Sequence, residues 1–251
     1  MHLTVLGPHG GELPGCRSTC FLLDGVLALD AGALTSTLPL DELVKIDDVL
    51  LTHSHFDHVK DLPLLADVLV GRRDKPVTIW ANSECIATLR ENLFNNVLWP
   101  DFTAIPTKKA PVFKLKSFKS GATIQIGKYK VKSIPVTHPV ESCGFVISDG
   151  QSSMVMLGDV GFIEKFWKVL NSLSDLKVLL LETSFPNALQ ALADISGHFT
   201  PQTMLAELKK FDRRDCQVIL YHLKPAFVDV LKREVKQMPV HVCEEGEVFA
   251  F

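Results

Sequence analysis

The order of apolar runs predicts an α/β (α+β) protein of the αββα sandwich type, two sheets face to face with helices outside. Two observations predict it. A group of β-like runs punctuated by glycine opens the chain and gives way to strand-like segments alternating with helical ones. The second half repeats the succession, and no low-complexity linker separates the halves, so residues 1–251 read as a single domain.

Leu3–Leu6, Thr19–Leu23 and Val26–Leu29 are the opening β-like runs, broken by Gly7, Gly10, Gly11, Gly15 and Gly25. A short helix is expected after Pro39, and Ile46–Leu51 reads as a buried strand. Asp61–Val70 is expected to be helical, Val77–Ala81 extended, and Ser83 begins another helix with Glu84 in its first turn. Asn95–Pro111 carries Pro100, Pro106 and Pro111 and reads as a loop, a cover over the site or an oligomer contact. Thr123–Ile126, Lys128–Val136, Gly144–Ile147 and Ser153–Leu157 have β character. Phe162–Leu173 reads as a helix and Lys177–Leu181 as a buried strand. Thr200 can cap a helix running to Phe211, with Pro201 suited to its first position. Cys216–Tyr221 is a further strand and Pro225–Val235 a further helix.

Composition excludes several classes. Hydrophobic residues make up 47% and charged residues 22%, as in soluble globular proteins. The net charge is -3 with no long basic run, which argues against a nucleic-acid partner held by broad phosphate neutralisation. No signal-peptide pattern and no apolar stretch of membrane-spanning length is visible. Six scattered cysteines, most within apolar segments, fit a reduced, cytoplasmic setting. Cys16 and Cys20 are not accompanied by a second pair, so no further metal site is expected there.

The segment His53-Ser54-His55-Phe56-Asp57-His58 places four metal-capable side chains in six residues, directly after Val49-Leu50-Leu51. Imidazole and carboxylate together suit Zn²⁺, and carboxylates supply the hard donor that two-metal sites use. His138, Asp159 and His222 each follow an apolar run, where a loop can turn them toward a shared cleft.

HSHFDH followed by His138, Asp159 in LGD and His222 resembles the metallo-β-lactamase superfamily over nearly the whole chain. The resemblance implies the αββα fold and two divalent metal ions at the sheet edges. It implies that His53, His55 and His138 hold the first metal, that Asp57, His58 and His222 hold the second, and that Asp159 bridges them. Zn²⁺ is the expected metal, with Mn²⁺ or Fe as alternatives. Leu181–Asn187 (LETSFPN) and Leu192–Pro201 (LADISGHFTP) are similar to class II cyclic-nucleotide phosphodiesterases, and less so to tRNA 3′-processing nucleases. That family implies a small-molecule phosphodiester substrate and a homodimer.

Two metals can activate water and polarise a phosphoryl oxygen, with Asp57 orienting the water or accepting its proton. An alkoxide leaving group benefits from a general acid. His198, outside the implied ligand set, is the candidate, with Glu182 or Asp194 to orient it. Gly10 and Gly11 permit close backbone approach to substrate, or serve a tight turn. His9 can reach the site from the same loop; Arg17, Lys60 and Lys224 lie near motif loops, and Trp99 is the tryptophan best placed to touch a base. The leading reading is hydrolysis of 3′,5′-cyclic nucleotides to 5′-monophosphates. The competing readings are RNA 3′-processing, thioester hydrolysis and a nucleotide-sensing module without catalysis.

Overall fold

Strand alternation sorts the apolar side chains into three layers of core. In Cys20–Leu23, Phe21 and Leu23 enter the core between two sheets, while Cys20 and Leu22 face a helical layer containing Leu62, Leu65 and Leu69. In Leu176–Glu182, Val178 and Leu180 enter the same central core, whereas Leu179 and Leu181 pack against Phe166, Trp167 and Met204. Both sheets are therefore apolar on both faces, which requires the αββα layering the sequence predicts. The computed structural model describes residues 1–161 and 166–251.

The first sheet runs in the order Val248–Ala250, His2–Gly7, Cys20–Leu23, Leu27–Leu29, Asp48–Leu50, Val77–Asn82 and Phe113–Phe118. The second runs His241–Val242, Gln217–Tyr221, Leu176–Glu182, Ser153–Met156, Ser142–Ser148, Tyr129–Val136 and Thr123–Ile126. In each sheet four strands pair antiparallel and the others continue in parallel. The parallel strands matter for function. His53 follows Asp48–Leu50, Asp159 follows Ser153–Met156, Glu182 closes its own strand, and His222 follows Gln217–Tyr221. Carboxyl ends of neighbouring parallel strands lie at one edge, so these side chains converge there.

Several elements depart from the sequence reading. Phe113–Phe118 is an edge strand whose Lys114 and Lys116 suit a solvent-facing rim. Short C-terminal strands at His241–Val242 and Val248–Ala250, and a helix at Gln190–Ser196, also went unforeseen, being too short for periodicity to show. The helix capped by Thr200 ends at Leu208, not Phe211. Beyond it the chain is drawn toward Asn171, whose Oδ1 accepts from the Asp212 amide at 3.1 Å. The helix expected over Phe162–Leu173 is seen at Phe166–Ser172, and residues 162–165 lie outside the described residues. Asn95–Pro111 is a cover after all, but over the first outer core, where Trp99, Phe102 and Ile105 pack. Trp99 thereby packs, partly buried, against the first outer core.

Candidate metal centre

The chain leaves the strand Asp48–Leu50 and wraps HSHFDH into a four-residue helix, Phe56–Val59. The Ala31 amide donates to the His58 carbonyl at 2.7 Å, clamping this turn to the preceding loop. Gly32 makes the clamp possible, because a Cβ there would stand 2.2 Å from the Asp57 carbonyl oxygen. From the second sheet, His222 enters with φ of 64°, an uncommon left-handed backbone for a histidine, held by its amide donating to the Pro8 carbonyl at 2.6 Å.

Three donor groups result, each with ligand atoms within 4.8 Å of one another: His53, His55, His138 and Asp159; Asp57, His58 and His222; and Asp159, His198 and His222. His58 Nε2 and His222 Nε2 are 3.2 Å apart, and Asp159 Oδ2 stands 3.3 Å from the first and 3.2 Å from the second. Asp57 Oδ2 lies 3.4 Å from His222 Nε2. His138 Nε2 and His55 Nδ1 face each other at 3.2 Å, and His53 Nε2 is 3.6 Å from Asp159 Oδ2.

The other ring nitrogens explain why these atoms suit a cation. His58 Nδ1 donates to Asp30 Oδ2 at 2.8 Å, and His138 Nδ1 donates to the Gly197 carbonyl at 3.2 Å. Ser184 Oγ donates to Glu182 Oε2 at 2.7 Å and so accepts from His222 Nδ1 at 2.9 Å. Thr52 Oγ1 donates to Asp30 and accepts from His53 Nδ1 at 3.0 Å. With Nδ1 protonated, each Nε2 presents a lone pair inward. Facing lone pairs at this range repel unless a positive charge lies between them. His53 Nε2 and Asp159 Oδ1 are buried with no hydrogen-bond partner, an arrangement that costs stability unless a ligand satisfies them. The donors fit divalent metal.

Charge follows the same logic. Burial raises the pKa of Asp159, but the surrounding histidines, His222 first, outweigh it and hold the carboxyl well below its usual range. Burial likewise works against ionisation of Asp57, and His222 and His58 reverse it to a net lowering. Burial dominates at His53 and pushes its pKa well down; at His138 burial brings it to about 4. At His58 burial lowers the pKa, yet Asp159 and Asp30 together raise it well above the ordinary value. The carboxylates thus favour positive charge at His58, either as a proton on Nε2 or as a bound cation that takes the proton's place and frees the Nε2 lone pair.

His198 is buried beside this cluster, its ring stacked on His222 at a centroid distance of 5.3 Å. Its Nδ1 meets Glu182 Oε1 at 2.9 Å, which decides between the two orienting residues the sequence left open. Asp194 is exposed and accepts from Gln190 Nε2 at 2.6 Å. Glu182 is itself fixed by the amides of Val160 and Phe199 at 3.2 and 3.3 Å. Burial lowers the His198 pKa and Glu182 more than compensates, for a net rise.

Other sequence candidates sort by position. Gly10 lies against His222, where a Cβ would meet the imidazole at 2.5 Å and the carbonyl oxygen at 2.8 Å. Gly11 faces Pro225 instead. Lys224 Nζ stands 3.8 Å from Asp57 Oδ2, whereas Lys60 pairs with Glu12 and Asp61 and Arg17 with Glu245. His9 lines a separate cavity of about 330 Å³ with Cys16 and Lys232. The sequence reading assigned no role to Asp30 or Thr52, and took Ser184 only as part of the LETSFPN motif. Asp30 and Thr52 each end an apolar run, as the ligands do, but their supporting role appears only once His58 and His53 are in place.

Fold and donors define the class, a metal-dependent hydrolase of αββα architecture. The family model described as "Beta-lactamase superfamily domain" matches residues 19–223, and the chain belongs to that superfamily. A Yersinia pestis protein named "Probable 3′,5′-cyclic-nucleotide phosphodiesterase" is 25% identical over 244 residues, spanning 87% of this chain and 69% of the relative. "3′,5′-cyclic-nucleotide phosphodiesterase 1" of Saccharomyces cerevisiae is 28% identical over 192 residues; the match spans 66% of this chain and about half, 51%, of that relative. In structure, unliganded yeast PDE1 superposes with a TM-score of 0.82 at 20% identity, covering 100% of this chain and 99% of the other.

Proposed function

We propose that this chain is a phosphodiesterase that opens 3′,5′-cyclic nucleotides to 5′-monophosphates. The observation that carries the reading is the Glu182–His198 pair, a buried acid–base couple beside the donor groups His53, His55, His138, Asp159 and Asp57, His58, His222. The names of the relatives in Yersinia pestis and Saccharomyces cerevisiae support the substrate.

In this proposal His53, His55 and His138 hold one divalent ion, Asp57, His58 and His222 a second, and Asp159 reaches both. Zn²⁺ suits the mixture of imidazole and carboxylate, with Mn²⁺ or Fe as alternatives. Bound there, the ions would supply positive charge to the phosphoryl oxygens and lower the pKa of water. The protein's own groups do the rest. Asp57 accepts the proton of the attacking water, and Lys224 beside it adds positive charge at the phosphate. Glu182 holds Nδ1 of His198, which leaves Nε2 free to protonate the departing 3′-oxygen as the P–O3′ bond breaks. The Gly10–Gly11 loop borders His222, where backbone can approach the substrate.

The test is a panel of cyclic and linear phosphodiesters, assayed with Zn²⁺- or Mn²⁺-loaded protein and with products identified. Cyclic AMP or cyclic GMP should yield the 5′-monophosphate. Cleavage of tRNA precursors or thioesters without turnover of either cyclic nucleotide would reject the assignment.

A further inference from the structure

Beside the donor groups lies a cavity of about 420 Å³, lined among others by His138, Pro139, Asp194, Ile195, Gly197 and His198. That volume is in the range of small-ligand sites. We infer that the nucleoside half of the substrate seats in this cavity, with Ile195 and Pro139 as its apolar walls and Asp194 as the acceptor for N–H groups of the base. The inference rests on the proposed phosphodiesterase reading and extends it to substrate recognition.

Opening the cyclic diester to a 5′-monophosphate releases O3′, which belongs to the ribose. The group that protonates O3′ must therefore stand next to the nucleoside. His198 is that group in the proposal, and it forms one wall of this cavity. His138, a proposed metal ligand, forms another, so the cavity adjoins both the phosphate position and the acid.

Part of its lining is ordered by the same machinery. The helix Gln190–Ser196 ends at Gly197, whose carbonyl accepts from His138 Nδ1, and the chain passes directly into His198. Ala193 turns inward and is fully buried, while Ile195 is left 81% exposed. An isolated exposed isoleucine is ordinary. This one lines the same cavity as His198, with Pro139 also on the lining. A flat base and a ribose need such an apolar surface.

Asp194 supplies direction. Gln190 Nε2 donates to its Oδ1 at 2.6 Å, which steadies the carboxylate. Its Oδ2 has no protein partner among the described residues. A carboxylate accepts two parallel N–H bonds, and guanine offers N1–H and N2–H side by side, whereas adenine offers only its N6 amino group. The cavity should favour guanine over adenine.

The experiment pairs kinetics with calorimetry on the metal-loaded full chain. Kinetics compare cyclic GMP, cyclic AMP and methyl 4-nitrophenyl phosphate, a diester without a base. Calorimetry compares binding of 5′-GMP and ribose 5-phosphate. Ile195→Asp should lower kcat/KM for cyclic nucleotides about tenfold, mostly through KM, and lower it at least fivefold less for the base-free diester. It should also remove the advantage of 5′-GMP over ribose 5-phosphate in binding. Ile195→Ala should move both readouts in the same direction by less. Asp194→Asn should bring the guanine-to-adenine ratio toward one. Equal losses on all three substrates, or unchanged 5′-GMP binding in Ile195→Asp, would overturn the cavity assignment. An unchanged base ratio in Asp194→Asn would overturn the acceptor role. If no cyclic nucleotide is turned over yet 5′-GMP binding still depends on Ile195, the substrate reaction is wrong and the nucleoside cavity stands.

Discussion

His198 and Glu182 are the residues on which catalysis is proposed to turn, and their effects should separate from metal binding. His198→Ala should lower kcat by roughly 10²–10⁴-fold. Its bound metal, measured by elemental analysis, should be retained. Glu182→Gln should cost less, because an amide oxygen can still accept from Nδ1 while losing the charge that favours imidazolium. A His198→Ala variant with full activity on cyclic nucleotides would dismiss the acid. Gly10→Ala tests packing at the same scale. The added methyl has no room beside His222, so the ring must move, and metal affinity should fall roughly 10–100-fold, as for disrupted ligand support. Calorimetric metal titration reads this directly. At this scale the sequence was informative about residue type but not about orientation. It offered Glu182 and Asp194 equally as partners for His198, because each is a carboxylate near the motif. Only the turn after Leu176–Glu182 brings Glu182 within 2.9 Å of the ring.

Among elements, two features carry measurable consequences. The turn after Cys20–Leu23 begins at Asp24, and this carboxylate ties the first sheet to the second. Lys128 Nζ and Tyr129 Oη reach its Oδ2 at 2.7 and 2.6 Å, and the His2 amide donates to Oδ1 at 2.6 Å. Partial burial raises its pKa, but these three donors outweigh burial and bring it down to about 2. Because the folded pKa is depressed, the stability contributed is fully present above the unfolded value of 3.8 and is lost as pH falls toward about 2. The difference in thermal midpoint between wild type and Asp24→Asn should therefore shrink between pH 5 and 2; a constant difference would contradict it. The second feature is the helix Pro201–Leu208. Thr200 and Thr203 form a reciprocal capping box at its start. Thr200→Ala should cost about 1 kcal/mol in urea unfolding. Cap and proline were both readable from Thr200-Pro201. The edge strand Phe113–Phe118 was not, since its pairing with Val77–Asn82 is a long-range choice that local pattern does not encode.

For the molecule as a whole, the central core draws on both halves of the chain: Leu3, Phe21 and Leu50 from the first, Phe145, Leu180 and Tyr221 from the second. One domain over residues 1–251 is accordingly proposed, and circular dichroism and tryptophan fluorescence should report one coincident unfolding transition. Removing divalent metal by chelation should lower its midpoint, since ions bound only to the folded state stabilise it and the inward-facing donors otherwise repel. A midpoint indifferent to chelator and added Zn²⁺ would count against the donor assignment. The homodimer implied by the family resemblance is open to sedimentation, where a 27.8 kDa chain should run at twice its mass. Among the described residues no helix is long and apolar enough to cross a membrane. Local sequence determined the donors, the strands that precede them and the layered architecture, because ligand chemistry and hydrophobic period are properties of a few neighbouring residues. Tertiary structure alone decided that His53, His138, Asp159 and His222 meet, that Asp30, Thr52 and Ser184 orient the rings of His58, His53 and His222, and that the exposed Ile195 lines the same cavity as His198. Those outcomes depend on which strands lie side by side, and that is settled by the shared burial of both sheets.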